Sequence, residues 1–186
     1  MVVYIKNMVC ERCIRAVKRI FEEKNISVGR VSLGEVYVLS SVSKEMIKEL
    51  DLELRKEGFQ ILIREKDRLL EAIKTAIREK IASLDVEEGI IISDFVREVT
   101  NKKYRDMARL FLENEKISIR YYFIRHRLEK AKELLTYEEY SNTQIAAMLG
   151  YKSVQHLSKQ MKDYTGLSPR EFRKRREKEI TLLDRI

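Results

Sequence analysis

Lys103–Tyr122 and Ser153–Phe172 align residue for residue at an offset of 50, and this recurrence constrains the fold more than any other feature of the chain. Met107 falls on Leu157, Phe111 on Met161 and Ile117 on Leu167. In register with these apolar matches, Ser118 falls on Ser168, Arg120 on Arg170, Tyr122 on Phe172 and Arg109 on Lys159. Chance produces a few apolar coincidences, but not polar ones in step with them. Two copies of one helical unit are therefore present, joined by the long amphipathic stretch Ile119–Leu135.

The second copy shows what the unit is for. Asn142 or Thr143 can cap a helix carrying Ile145, Ala146, Met148 and Leu149. Gly150 follows, where a sharp bend needs a residue that tolerates positive φ. Ser153 then caps a second helix running to about Tyr164. A small residue at a helix crossing and a glycine at the bend are what a helix-turn-helix requires. At about 100° per residue, Leu157, Met161, Tyr164 and Val154 share a face predicted to be buried, while Gln155, Lys159 and Lys162 point away from it. Ser158 and His156 flank that outward face, and Lys152 and Ser153 stand at its start. Gln and Lys carry donors suited to base edges and phosphates. In the first copy the same angular positions hold Arg105 and Arg109, flanked by Asp106. An ordinary polar surface explains one such face poorly and two matching ones worse.

Gly150-Tyr151-Lys152-Ser153-Val154-Gln155-His156-Leu157-Ser158-Lys159-Gln160-Met161-Lys162, followed by Thr165-Gly166-Leu167-Ser168-Pro169-Arg170-Glu171-Phe172-Arg173, resembles the signature of the AraC/XylS transcription regulators. Arg127–Leu135 resembles that family's linker helix, and the likeness spans about Ile91–Arg176. It implies an all-helical domain whose two recognition helices enter successive major-groove segments of double-stranded DNA. Lys116 stands where that pattern has a glycine, and Val96 where a small residue is common.

The first 64 residues read differently. Val2–Lys6, Val28–Leu33, Val36–Leu39 and Phe59–Ile63 have strand character, with Gly34-Glu35 as a hairpin turn. Cys13–Glu23 carries Ile14, Val17, Ile20 and Phe21 at helical spacing. Ser43 can cap a second helix bearing Met46, Ile47, Leu50 and Leu54 and ending at Gly58. The order βαββαβ suits a ferredoxin-like sandwich. Beyond Arg64 nothing has strand character: Lys66–Leu84 reads as one helix whose stripe of Leu70, Ile73, Ile77, Ile81 and Leu84 is a packing face or a dimer seam, and Asp85–Gly89 is the break. The expected fold class is α+β: a ferredoxin-like βαββαβ domain in residues 1–64, a connecting helix in 65–85, and an all-α double helix-turn-helix domain in 86–186.

Met8-Val9-Cys10-Glu11-Arg12-Cys13 lies between the first strand and first helix. Thiols at i and i+3 converge at a helix N-terminus, where the dipole favours thiolates. Two soft sulfurs without a nearby His suit Cu(I) better than Zn(II), whose structural sites take four ligands. The stretch resembles the heavy-metal-associated domain of copper chaperones and metal-pumping ATPases, and Gly58-Phe59 fits its end; the likeness covers residues 2–64, with Asn7 in place of the usual glycine. It implies Cys10 and Cys13 as metal ligands and Met8 as a loop-packing residue. A thiol sensor that forms a Cys10–Cys13 disulfide and a degenerate domain kept for dimerisation stay open. The two histidines, His126 and His156, lie in the helical half and are read as a linker-helix and a DNA-face residue.

Charge agrees with a polyanionic partner. The net charge is +8, and residues 120–186 carry 15 Lys+Arg against 9 Asp+Glu, including Arg173-Lys174-Arg175-Arg176. No apolar run approaches the roughly 18–20 residues that span a bilayer, and the N-terminus lacks a signal-peptide pattern. The cytoplasm is the expected compartment, with no membrane partner. No acid–base or nucleophile constellation appears beyond the two thiols, so an enzyme is not expected. The reading is a DNA-binding regulator responsive to a soft metal ion, with a homodimer and a metal-delivery protein as further partners. Its rival is a metal chaperone or buffer whose basic helical half docks a protein.

Overall fold

The computed structural model describes residues 1–137 and 139–175. These divide into two compact units: Met1–Ala76 with Val99–Lys102, and Ile77–Glu98 with the chain from Lys103 onward.

The first unit holds a four-stranded antiparallel sheet. Its strands are β1 (Val2–Lys6), β2 (Val28–Ser32), β3 (Glu35–Val38) and β4 (Gln60–Ile61), in the order β2-β3-β1-β4. Helices α1 (Glu11–Glu23) and α2 (Lys44–Lys56) complete the order βαββαβ. Along β1 the period of two buries Val3 and Ile5, and along β3 it buries Val36 and Val38. Onto these, α1 lays Val17, Ile20 and Phe21, and α2 lays Leu50 and Leu54, all in one core. Each such side chain contributes about 1.5–3 kcal/mol by leaving water. Ser43 caps α2 through a 3.2 Å bond from the Met46 amide, as its sequence position predicts.

The last strand is much shorter than Phe59–Ile63. Only Ile5↔Ile61 and Lys6↔Gln60 pair across β1 and β4. The Leu62 amide still reaches the Tyr4 carbonyl at 2.7 Å, but the Arg68 guanidinium takes the Leu62 carbonyl at 3.0 Å. The ladder stops there, and Ile63 is exposed.

Helix α3 (Glu65–Ala82) ends two residues before the predicted Leu84, because Leu84 turns into the left-handed region at φ +57°. Leu70, Ile73, Ile77 and Ile81 of the stripe are buried. Among the described residues beyond it, the regular elements are all helices: α4 (Ile92–Thr100), α5 (Tyr104–Glu115), α6 (Ile119–Thr136), α7 (Asn142–Met148) and α8 (Val154–Thr165), with residues 169–175 also helical. Among the described residues, no helix is long and apolar enough to cross a membrane.

Candidate nucleic-acid interface

The repeat is built into the backbone. Helices α5 and α8 each have twelve residues and start 50 apart. Each ends on a left-handed residue at the same register, Lys116 at φ +60° and Gly166 at φ +78°. Lys116 adopts the conformation that its expected glycine would supply, while its Nζ donates to the Glu113 carbonyl at 2.8 Å. Ser118 then caps α6 from the Tyr121 amide, and Ser168 accepts equivalently from the Glu171 amide.

In the second copy the cap of α7 is Ser141, not Asn142 or Thr143. Its hydroxyl accepts from the Gln144 amide, and the Gln144 side chain accepts from the Ser141 amide, a full capping box. The pattern Ser141-Asn-Thr-Gln144 carried that signal in the sequence. Ser153 caps α8 through a 3.1 Å bond from the His156 amide.

On α8, Gln155, His156, Lys159 and Lys162 are exposed, with Lys152 and Ser153 exposed before it, while Ser158 is half-buried. Leu157 and Met161 are fully buried. Tyr164 is not on the buried face: it is 43 % exposed, its ring 5.7 Å from that of Tyr121 on α6. Its phenol makes exposure inexpensive. On α5, Arg105 and Arg109 are exposed beside Asp106, and Met107 and Phe111 are buried. Partial burial, and then the charges of Arg127, Lys152 and Lys159, hold the His156 imidazole below its ordinary range. It therefore stays neutral near pH 7, with one donor and one acceptor.

The basic run after α8 is less free than its composition suggests. Arg173 is half-buried and donates to the Tyr140 carbonyl. Lys174 is exposed, Arg175 also has a partner, and Arg176 lies outside the described residues.

One cluster was not singled out from the sequence. Arg127 of α6 is 7 % exposed and donates to the Leu149 carbonyl at 3.4 Å and to Gln160 Oε1 at 3.0 Å. Its guanidinium lies 3.9 Å from the Tyr151 ring centroid, and the Tyr151 hydroxyl donates to the same Gln160 oxygen at 2.9 Å. The signal was available: Arg127 interrupts the apolar stripe of Phe123, Ile124, Leu128 and Ala131.

In the first unit, Cys10 Sγ and Cys13 Sγ are 3.6 Å apart and both half-buried. Cys10 is the N-cap of α1, and Met8 beneath the loop is fully buried. Bonds from the Cys13 amide, the Cys13 thiol and the Arg12 amide lower the Cys10 thiol below the ordinary range. Asn7 adopts φ +72°, the left-handed conformation for which Asn is the most tolerant side chain after Gly, and its amide donates to the Gly58 carbonyl at 2.9 Å. Two metal–sulfur bonds of about 2.3 Å each span the thiol separation, so a single ion can reach both sulfurs. Among the described residues no group of three or more His, Cys, Asp or Glu could hold a metal. That leaves the site short of a four-ligand zinc set. His126 and His156 lie elsewhere, against Tyr122 and Tyr151.

Residues 98–175 match the sequence family described as "Helix-turn-helix domain". Residues 98–175, which span both helical copies, are thus similar to a helix-turn-helix domain. Among solved structures, it resembles the C-terminal domain of AraT, a response regulator from Geobacillus stearothermophilus, at 24% identity and a TM-score of 0.53, over 61% of this chain and 89% of that one. A DNA-binding transcriptional dual regulator from Escherichia coli K-12 is similar at 19% identity and a TM-score of 0.50, over 59% and 93%. These likenesses establish the fold of the helical part. No curated protein matches the chain significantly.

Proposed function

We propose that the chain is a cytoplasmic, sequence-specific transcription regulator of the AraC/XylS type, with α5 and α8 as paired recognition helices. One observation carries the reading. Two helices of equal length and register, each closed by a left-handed residue, each present cationic or amide side chains outward over a buried apolar face. A protein-docking surface has no need of that duplication; two consecutive turns of duplex do. Arg105 and Arg109 are suited to guanine edges, Gln155 to adenine, and Lys152 and Lys162 to phosphates. The two similar structures, the C-terminal domain of a response regulator and a DNA-binding transcriptional dual regulator, agree with this reading.

Selection from a random duplex library tests it. The expected result is two conserved blocks about 10 base pairs apart. Gln155→Ala and Lys159→Ala should each cost about 1–3 kcal/mol on the selected site and little on random DNA. A single block indifferent to both substitutions would refute the assignment.

For the first unit the proposal is a ferredoxin-like, heavy-metal-associated domain that holds a soft ion, Cu(I) in preference to Zn(II), at Cys10 and Cys13. The 3.6 Å thiol pair at the start of α1 supports it, as does the strand order β2-β3-β1-β4. The bound ion would supply a charge that orders the Asn7–Cys13 loop. The chain's own part is to favour the Cys10 thiolate through the bonds from Cys13 and Arg12 and to keep Met8 packed beneath.

A further inference from the structure

Arg127 is a buried cation that, among the described residues, no carboxylate is shown to meet. Among the described residues it has no ion pair, and its Nε has no hydrogen-bond partner. What compensates it is neutral. The Leu149 carbonyl is the C-cap of α7, at the negative end of that helix. Gln160 Oε1 belongs to α8, and the Tyr151 ring belongs to the turn between the two helices. One guanidinium therefore touches the end of α7, the turn and α8, reaching all three from α6. Both donors to Gln160, Arg127 and Tyr151, require its oxygen on this side, so the amide has a single orientation. Burial lowers the guanidinium's titration and raises the Tyr151 phenol's, and each keeps its ordinary charge at neutral pH.

We propose that Arg127, with Tyr151 and Gln160, is the positioning device that fixes the roll of α8 about its axis and thereby sets which bases Gln155 and Lys159 can read. The proposal rests on α8 being a recognition helix. Gln160 lies about 100° around the helix from Lys159 and about 140° from Gln155, on the flank between the buried and outward faces. Apolar packing of Leu157 and Met161 resists tilting but is non-directional and tolerates sliding. A two-donor clamp on one amide oxygen is directional and does not. Side-chain ends lie about 6 Å from the helix axis, so a roll of 10° displaces them by about 1 Å, enough to break a bidentate base contact. Phosphate contacts by flexible lysines survive such a shift. The device should thus govern discrimination and leave general affinity to the surface charge. A buried ionic group retained for register rather than stability is a known use of such costs.

The experiment compares the whole chain with Arg127→Met, Arg127→Lys, Tyr151→Phe, Gln160→Ala and Gln160→Glu on two duplexes: a site selected by the wild-type chain and a random sequence. Arg127→Met and Gln160→Ala should lower the ratio of specific to random affinity about tenfold, the order of one base contact, with random affinity nearly unchanged. Arg127→Lys, which keeps the charge but loses the fork, and Tyr151→Phe should fall between. Gln160→Glu keeps both donors engaged and should hold the ratio while lowering both affinities through its added negative charge. If Arg127→Met does not fold, the half-buried Gln160 and the Tyr151 hydroxyl carry the test alone. Parallel loss on both duplexes, with the ratio intact, would show a merely structural role and overturn the proposal. A wild-type chain without any sequence preference would overturn the DNA reading, and this inference with it.

Discussion

Gly150→Ala should be the most damaging single-methyl substitution in the helical unit. Gly150 is buried between α7 and α8 at φ +67°. A Cβ there would lie 2.6 Å from the Val86 carbonyl oxygen, 2.7 Å from that of Glu87 and 2.9 Å from Val86 Cγ1. The first two are backbone atoms, and their segment is tied down by the Val86 amide donating to the Met148 carbonyl at 3.2 Å. They cannot swing aside as a side-chain tip would. The left-handed conformation alone costs an L-residue about 1–2 kcal/mol, and forcing packed neighbours apart adds about 1–3 kcal/mol. The total, about 2–5 kcal/mol, is a large part of the roughly 5–15 kcal/mol that holds a domain together. Gly166→Ala is the matched control: φ is +78°, but nothing lies within 4 Å of its added Cβ, so only the conformational cost of about 1–2 kcal/mol applies. Any gain from a stiffer unfolded chain is common to both. Urea unfolding followed by far-UV circular dichroism gives the two losses. Equal losses at 150 and 166 would show that the close approach to Val86 and Glu87 is not a constraint.

Duplex affinity should weaken steeply with salt: for about five neutralised phosphates, log K falls with log salt at a slope near −4.5, and a flat response would rule out phosphate anchoring. The stability of the helical unit should depend on pH through His126 and His156. Burial first, then neighbouring cations, lowers both imidazoles below the ordinary 6.5. The unfolded chain therefore takes up protons first, so stability is full above pH 6.5 and declines as pH falls through and below it. Melting temperatures across that range should fall in the wild type and flatten in the His126→Gln/His156→Gln double variant. Loading Cys10 and Cys13 with Cu(I) under reducing conditions should change operator affinity by about 5–150-fold, and by linkage operator DNA should change metal affinity by the same factor. Identical affinities for apo, loaded and Cys10→Ser/Cys13→Ser protein would separate the thiol pair from DNA binding.

The sequence by itself determined the element order, the repeat and the outward faces, because each is local. Periods of two and 3.6 residues mark Val2–Lys6 and α1, a register of 50 relates α5 to α8, and caps such as Ser43 and Ser153 act within three residues. Tertiary structure decided what depends on partners far along the chain. Arg68 ended β4 by taking the Leu62 carbonyl, Tyr164 turned out to Tyr121 instead of inward, and Arg173 was drawn to Tyr140 and away from the surface. Above all, it converted Arg127 from one more charge on an amphipathic helix into a buried tether joining Leu149, Tyr151 and Gln160. A helical period tells which face a residue occupies; only the packed neighbours supply the carbonyls and the ring that let a cation remain there.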